Sequence, residues 1–233
     1  MLKNLKTMGI VLSFKREENL DQVVEGLRNQ SFIDDILIIH NCPSKKRVKG
    51  CYNIVSDINF GCLIRHQIAA TLNGYGYFIF SDDDLMLTGD ITDSVSEAVE
   101  KVGRESVLGI YGLNLNRNDL DSAYSTGKNI RNKKDVITPV DIVKGRFHIM
   151  SKNNVMRLAS SRFNTKFLRE EDDIRANVST QNAHKVPSYV FRVSKNQVLD
   201  LPDPNALQDR PDHYDNRNRA ILDGIVLGWE PIS

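Results

Sequence analysis

The sequence predicts an α/β fold with a mixed, mostly parallel central sheet flanked by helices. Two observations support this prediction. Short continuous apolar runs, which are typical of strands buried on both faces, recur along the chain. These runs alternate with segments whose apolar residues are spaced as on one face of a helix. No stretch of the 233 residues resembles a flexible linker, so we expect a single domain spanning residues 1–233.

The first segment has the pattern of a strand–helix–strand unit. Residues 8–14 ("MGIVLSF") form an apolar run of strand length, and residues 34–43 ("DDILIIHNCP") contain a second run that ends at an Asn and a Pro. Between them, apolar residues recur at i, i+3, i+4 and i+7, at Leu20, Val23, Val24 and Leu27. This is the spacing of a βαβ unit, so we expect the two strands to run parallel.

The alternation continues to residue 113. We expect short strands at "YNIVSDI" (52–58), "YFIFS" (77–81) and "SVLGIYGL" (106–113). Helices are expected at residues 61–72, stopped by "NGYG", and at 92–103, where Gly103 is a plausible C-terminal cap.

The second half of the chain is less regular. The polar stretch at residues 114–135 has no period, and it predicts either a loop over a site or a hairpin with a long tip. Beyond it we expect paired short strands in 136–150, broken at Pro139 and Gly145, a short helix at 153–161 and a helix-like segment after the acids of "REEDD". Strands are expected in 188–194 and 197–202, and a terminal helix has Ile221, Leu222, Ile225 and Val226 as its apolar face.

Composition excludes several classes of protein. The 31 Lys and Arg residues balance the 30 Asp and Glu residues, which gives no electrostatic reason to expect a nucleic-acid or membrane partner. The three cysteines, Cys42, Cys51 and Cys62, match neither a disulfide framework nor a zinc site. No apolar run is long enough for a secretion signal or a bilayer span. We therefore expect a soluble, cytoplasmic protein with reduced thiols.

Three consecutive aspartates, Asp82, Asp83 and Asp84, follow the apolar run "YFIFS". Adjacent like charges repel, and a divalent cation with hard oxygen ligands is their natural compensation. A solvated acidic turn or a helix cap is the alternative reading, but the position at a strand end favours a metal–phosphate site. Since neither "GxxxxGK[ST]" nor "GxGxxG" occurs, we expect a nucleoside diphosphate held by metal and cationic side chains.

The predicted topology brings distant segments together. In α/β folds, ligands bind outside the carboxyl ends of the strands. That rule gathers residues 13–16, His40, Asn41 and residues 82–84 along one edge of the sheet.

Motifs in this order resemble those of the GT-A glycosyltransferases. "SFKREENL" resembles the turn after their first strand, "ILIIHNCP" their second strand and "FIFSDDDLML" their strand with a DxD motif. The late "DDI" at residues 172–174 and a C-terminal helix carrying His213 and Arg217 are similar to the exostosin-like group, retaining enzymes that transfer N-acetylhexosamine or related sugars from UDP-sugars. The chain departs from the pattern at Phe14-Lys15, where the family often has Tyr-Asn, and at Glu170-Glu171, where it has an Asn.

The resemblance implies a fold and an activity. It implies a single Rossmann-like GT-A domain with a nucleotide-sugar half at 1–113 and an acceptor half at 114–233 that carries a smaller C-terminal sheet. The implied activity is hexosyl or N-acetylhexosaminyl transfer from a UDP-sugar to a carbohydrate, glycoconjugate or other hydroxyl acceptor, with Mn²⁺ or Mg²⁺ as cofactor and possible retention of configuration.

The resemblance also assigns roles to residues. Nucleotide-sugar binding is implied for Ser13, Arg16, Asn41, Arg65, Asp82, Asp83 and Arg217. Metal binding is implied for Asp84, together with Asp82 and His213, and catalytic roles for Asp173 and Asp172. Asp173 would lie under the reacting sugar, as a general base in an inverting enzyme, or as a nucleophile or stabiliser of an oxocarbenium-like centre in a retaining one.

Other readings of these residues stay open at this point. A non-catalytic nucleotide-sugar-binding module would keep the fold, whereas a sugar nucleotidyltransferase usually has a Gly-rich loop that "SFKREEN" lacks. Arg16 could be a solvated charge, Asn41 turn chemistry and His213 simply exposed. Gly145 is better explained by a backbone requirement near the acceptor side than by chemistry.

Overall fold

A computed structural model of the protein describes residues 5–132, 136–161, 171–203 and 209–231. Its strands are β1 (Lys6–Ser13), β2 (Asp35–His40), β3 (Tyr52–Val55), β4 (Tyr75–Asp82), β5 (Leu85–Leu87), β6 (Leu108–Gly109), β7 (Gly112–Asn114), β8 (Lys128–Ile130), β9 (Ile137–Val140), β10 (Ile142–Val143), β11 (Phe147–Ser151), β12 (Ser188–Phe191) and β13 (Val198–Asp200). Its α-helices are α1 (Leu20–Arg28), α2 (Ile64–Thr71), α3 (Thr92–Val102), α4 (Lys152–Ser160), α5 (Asp172–His184) and α6 (His213–Val226).

The main sheet has eight strands in the order β3-β2-β1-β4-β11-β6-β12-β9. The first four run parallel to one another, β11 is antiparallel to β4 and β6, and β12 is parallel to β6. Helices pack on this sheet, which confirms the predicted α/β class with a mixed, mostly parallel sheet. Strands from both sides of residue 113 share the sheet, so the two predicted halves are joined through one core.

The sheet is the middle layer because its strands are apolar on both faces. In β1, Val11 packs in one core cluster with the apolar stripe of α1 and the Val side chains of α3. Its neighbours Ile10 and Leu12 pack in a second cluster with α2, α4 and α5. The predicted stripe of α1 is fully buried, as its spacing requires.

The structure corrects several expected elements. The run at 106–113 divides into β6 and β7, which belong to different sheets. The strands of 136–150 do not pair with one another: β9 pairs with β12, β10 with β7 and β11 with β4. A continuous apolar run does not specify which strand it pairs with, because any neighbouring strand buries it equally well. Val226 is 84% exposed, so it is not part of the buried face of α6.

The polar stretch after residue 113 is a hairpin. Its arms are β7 and β8, which join β10 in a three-stranded antiparallel sheet. This smaller sheet therefore begins in the middle of the chain, earlier than the resemblance implies. The Oδ1 atom of Asn218 on α6 accepts the backbone N–H groups of Tyr124 at 2.9 Å and Ser125 at 3.3 Å. The hairpin tip is thus tied to α6.

Cys42, Cys51 and Cys62 all lie in the described part of the chain, and no disulfide joins them. Within the described residues, no helix combines the length and the apolar character that crossing a membrane requires.

Candidate functional site

A cleft of about 450 Å³ opens beside the carboxyl end of β4. Walls come from that strand end, the loop after β1, the turn between β10 and β11, and the N-terminal residues of α5 and α6. Its lining residues are Arg16, Cys62, Arg65, Asp82, Asp84, Tyr124, Lys144, Gly145, Arg146, Asp172, Asp173, Asp200, Leu201, Asp203, Asp209, His213 and Arg217. The sheet topology therefore brings together most of the residues that the sequence pointed to.

The three adjacent aspartates have different environments. Asp82 and Asp84 line the cleft, whereas the Asp83 carboxylate does not. Asp83 accepts the Phe14 backbone N–H at 2.9 Å and pairs with the Arg16 guanidinium at 2.7 Å. It thus fixes the loop after β1 and is not free to face a ribose or a sugar. Burial raises the pKa of Asp83 to about 7, and Arg16 opposes that rise.

Arg16 and Arg146 hold Asp84 from two sides. Their guanidinium nitrogens lie 3.2 Å and 3.3 Å from the two carboxylate oxygens of Asp84. Arg16 also pairs with Asp203 at 3.0 Å, and Arg146 with Asp200 at 2.9 Å. Burial raises the pKa of Asp84, and the two arginines oppose the rise. Arg16 is buried and bridging, so the reading of a solvated charge is wrong.

Arg65 on α2 connects three walls of the cleft. Its Nη1 donates to Asp82 and its Nε to Asp172, both at 2.7 Å, and its Nη2 donates to the Gly145 carbonyl at 3.2 Å. The side chain is 2% exposed. Burial raises the pKa of Asp82 to about 6, and the Arg65 charge opposes that rise. One guanidinium therefore fixes the relative positions of β4, α5 and the turn before β11.

Asp173 is fixed at the first turn of α5. Its Oδ2 accepts the Arg217 guanidinium at 2.5 Å and the Gly145 backbone N–H at 3.0 Å, while its Oδ1 accepts the Ile174 N–H at 2.9 Å. The Arg217 guanidinium stacks on the Tyr124 ring at 4.3 Å. Burial raises the pKa of Tyr124 to about 12, although Arg217 opposes this. The helix dipole favours an anion at this position.

Sequence reasoning assigned no individual role to Tyr124, Lys144, Arg146, Asp200 and Asp203, which also line the cleft. They come from the hairpin tip, the turn before β11 and the end of β13, which the fold brings to the cleft from distant positions. For Lys144 and Arg146 there was a usable signal, because they flank Gly145 directly before a buried strand. No comparable signal marks the other three.

Besides Asp83, two predicted residues lie outside the cleft lining. Ser13 is buried at the end of β1, and its backbone carbonyl accepts the Asn41 N–H. The Asn41 amide donates to Asn59 and Gly61 at 2.8 Å and 3.1 Å and accepts the Phe60 N–H at 2.9 Å. Its hydrogen-bonding groups thus shape the loop before α2, which is the turn chemistry that the sequence left as an alternative.

The cleft fits a metal only in part. Among the described residues, no group of three or more His, Cys, Asp or Glu side chains is placed to hold an ion, so Asp82, Asp84 and His213 do not form the expected three-ligand set. His213 does line the same cleft. Mg²⁺ is usually held by one or two carboxylates together with substrate phosphates. The pair Asp82 and Asp84 fits a divalent cation of that kind, completed by the substrate.

Comparisons with protein-family models and with curated proteins give no match. A search of solved structures matches the crystal structure of GalNAc-T7 with UDP, GalNAc and Mn²⁺, with a TM-score of 0.67 over 94% of this chain. This chain has the GT-A glycosyltransferase fold. The two sequences are 10% identical and the match covers 49% of the GalNAc-T7 chain, so the likeness concerns the fold, and the present chain spans about half of the matched one.

Proposed function

We propose that this chain is a metal-dependent glycosyltransferase that transfers a sugar from a nucleoside-diphosphate sugar to a hydroxyl acceptor. One observation carries the proposal: in a GT-A fold, Asp82 and Asp84 open onto a cleft that four arginines also line. Nucleoside-diphosphate sugars carry the negative charge that such a site binds, and glycosyl transfer leaves that charge on the diphosphate.

The cations of the cleft differ in how far they are neutralised. Arg16, Arg65, Arg146 and Arg217 each pair with at least one carboxylate. Lys144 forms no ion pair within the described part of the chain, although it lines the cleft. Burial and repulsion from Arg217 lower its pKa. An incoming anion would stabilise the Lys144 charge, which supports the diphosphate as ligand.

A bound cation and the protein side chains would make different contributions to the reaction. When bound, a divalent cation supplies positive charge that neutralises the leaving diphosphate. Asp82 and Asp84 would hold it, and Arg65 would keep Asp82 in place. Both oxygens of Asp173 accept hydrogen bonds, so the geometry favours electrostatic stabilisation of positive charge at the reacting carbon over nucleophilic attack by Asp173.

For the finer assignments we propose a UDP-linked donor and Mn²⁺ or Mg²⁺. The GalNAc-T7 structure contains UDP, GalNAc and Mn²⁺, and the motifs of this chain resemble the exostosin-like group. Both similarities point to N-acetylhexosamine as the first sugar to test. The acceptor would enter beside the hairpin tip, where Tyr124 lines the cleft.

Calorimetry with UDP, in the presence and absence of Mn²⁺, tests the proposal. We expect binding that strengthens at least about tenfold with the metal, because Asp82, Asp84 and the diphosphate are all negatively charged and a cation would offset their repulsion. Slow release of UDP from UDP-N-acetylhexosamines should accompany it. An absence of UDP binding under both conditions would refute the proposal, and metal-dependent binding without turnover of any donor and acceptor pair would identify a non-catalytic binding module.

A further inference from the structure

Two buried histidines lie directly behind the cleft wall, and none of the roles proposed above uses them. His66 on α2 and His148 on β11 are 0% and 1% exposed, and their Nε2 atoms are 2.9 Å apart. The rings stack with centroids 5.1 Å apart, and both also contact the Phe80 ring. Apolar side chains would fill this space without a desolvation cost, so the two imidazoles need a polar reason to be there.

The pair forms the middle of a row of polar contacts. At one end, His66 Nδ1 lies 3.3 Å from Asp172 Oδ2, and at the other, His148 Nδ1 lies 3.3 Å from the Gly145 carbonyl oxygen. Arg65 donates to both ends, through Nε to Asp172 and through Nη2 to Gly145. A closed network of contacts behind the cleft wall therefore joins five groups: Asp172, His66, His148, the Gly145 carbonyl and Arg65.

The number of hydrogens on the imidazole nitrogens decides which atoms of this network donate and which accept. The network contains three contacts that involve an imidazole nitrogen, and two neutral imidazoles supply only two N–H groups. The Gly145 carbonyl and the Asp172 carboxylate can both only accept. Of the two end contacts, only that of His148 Nδ1 with Gly145 has hydrogen-bond geometry, which assigns the hydrogen to His148 Nδ1, and its Nε2 then accepts from His66 Nε2. His66 Nδ1 is left without a hydrogen, which agrees with its lack of a hydrogen-bond partner among the described residues.

Burial keeps the pair neutral against the nearby carboxylates. Arg65, which lies beside His66 on α2, is on one side of the histidine pair, and Asp172 and Asp173 on α5 are on the other side. Burial is the main cause that lowers the pKa of His148, to about 4, and it also lowers the pKa of His66. At neutral pH each imidazole therefore carries one hydrogen.

Gly145 is the point through which this arrangement acts on the cleft. Its carbonyl accepts from Arg65 and His148, and its N–H donates to Asp173. An added Cβ would lie 3.0 Å from Arg65 Nη2, so a larger residue would disturb the same contacts. Lys144 and Arg146 flank this peptide and line the cleft.

We propose that His66 and His148 are positioning residues of the cleft: as a neutral pair, with His66 in the Nε2–H form and His148 in the Nδ1–H form, they fix the Gly145 carbonyl and thereby Lys144 and Arg146. The hydrogen-bond arrangement stands by itself, and only its effect on turnover rests on the proposed glycosyltransferase function.

The arrangement is tested on the unaltered chain by ¹⁵N NMR of histidine side chains, which is practicable because the chain has five histidines. At pH 7 we expect both rings to be neutral, with the Nδ1–H tautomer at His148, the Nε2–H tautomer at His66 and a coupling across the Nε2–Nε2 hydrogen bond. An Nε2–H tautomer at His148, or a hydrogen on His66 Nδ1, would overturn the assignment. Because no substrate is present, this result does not depend on the proposed function.

The positioning role is tested with a matched pair of variants. In His148→Asn the amide nitrogen can take the place of Nδ1 and still donate to Gly145, whereas in His148→Gln it takes the place of Nε2 and cannot. We expect kcat for donor hydrolysis, per folded molecule, to fall about tenfold further in His148→Gln than in His148→Asn, with KM changed less. Equal kcat values in the two variants at matched stability would overturn the positioning role.

Discussion

Two cavities of similar volume lie near opposite ends of the parallel strands. The cleft at the carboxyl end of β4 measures about 450 Å³, and an amino-edge cavity at the start of β2 and β3 measures about 490 Å³. The amino-edge cavity is lined by Arg28, Ile33, Asp34, Asp35, Ile36, Gly50, Cys51 and Tyr52. Each cavity thus contains Arg, Asp and Gly, and volume does not distinguish them.

What distinguishes the cavities is how their charges are stabilised. Asp34 accepts a backbone N–H, and Asp35 accepts the Tyr75 hydroxyl at 2.8 Å. Arg28 is exposed and donates to the Lys49 carbonyl. In the cleft, by contrast, the buried Arg16 and Arg65 each pair with two or more carboxylates. Concentrated charge in a low-dielectric site is costly for stability, and it is the feature that marks a site for charged ligands.

The largest difference should appear when one arginine of each cavity is replaced. Arg65→Met leaves the carboxylates of Asp82 and Asp172 without their shared cation, and Asp172 is buried. We expect the free energy of unfolding to fall by about 3–5 kcal/mol, because removing one partner leaves an unpaired buried charge. Urea unfolding at pH 7 measures it.

Arg28→Met is the control for this replacement. Arg28 is exposed, so we expect its loss to change the free energy of unfolding by no more than about 0.5 kcal/mol. If the two variants lost equal stability, the buried bridges of the cleft would not differ energetically from the surface contacts of the amino-edge cavity.

The next effect concerns function. Asp84→Asn removes one of the two carboxylates proposed to hold the metal, and we expect donor hydrolysis to fall about 10²–10³-fold. The fold should be retained, because the Asn oxygen can still accept from one of the two arginines, and Arg16 and Arg146 keep their other carboxylate partners. Asp35→Asn at the amino-edge cavity serves as the control and should not change the rate. Unchanged hydrolysis in Asp84→Asn would remove the proposed metal role of this residue.

Local patterns explain which parts of the fold could be predicted from the sequence. The apolar stripe of α1 and the apolar run of β1 are both buried. The spacing of their apolar residues is enough to predict both elements, whichever elements pack against them. The edge on which the Asp triplet lies follows from strand topology.

Helix α5 was expected as a helix, but the burial of its polar residues could not be predicted. Residues 172–181 are all buried, yet they contain acids, Arg, Asn, Ser, Thr and Gln and no apolar stripe. Burial is possible because distant groups satisfy the polar side chains. Asn177 bonds to the Val143 N–H and carbonyl, and Gln181 accepts the Trp229 indole N–H and donates to the Asp141 backbone carbonyl. Such partners are set by tertiary structure, and no periodicity in the sequence records them.

Acid should affect the two cavities differently. His148 titrates near pH 6.5 in the unfolded chain, and burial lowers its pKa to about 4 in the fold. A lowered folded pKa means that this contribution to stability is present above pH 6.5 and is lost as pH falls through 4. Between pH 7 and 4.5 the His148 contribution should fall by about 2 kcal/mol, a loss that His148→Asn should not show.

Regional hydrogen exchange locates this effect. Among the described residues that line the amino-edge cavity there is no histidine, so exchange at residues 33–36 and 50–52 should respond less to acid than exchange in α2 and β11. The same pH dependence in the wild type and in His148→Asn would show that other groups cause the acid response.

The smallest effect comes from adding one methyl group at each cavity. A Cβ at Gly145 would lie 3.0 Å from Arg65 Nη2, and a Cβ at Gly50 would lie 3.1 Å from Arg28 Nη2. Both replacements by Ala should cost about 1 kcal/mol of stability, through crowding at Gly145 and through the positive φ of Gly50. Only Gly145→Ala should also weaken UDP binding with Mn²⁺, by about threefold to tenfold. Calorimetry measures the UDP affinity of both variants with Mn²⁺. Equal affinities would show that the Gly145 turn does not position the ligand-binding cations. The cleft would then differ from the amino-edge cavity only in its carboxylates.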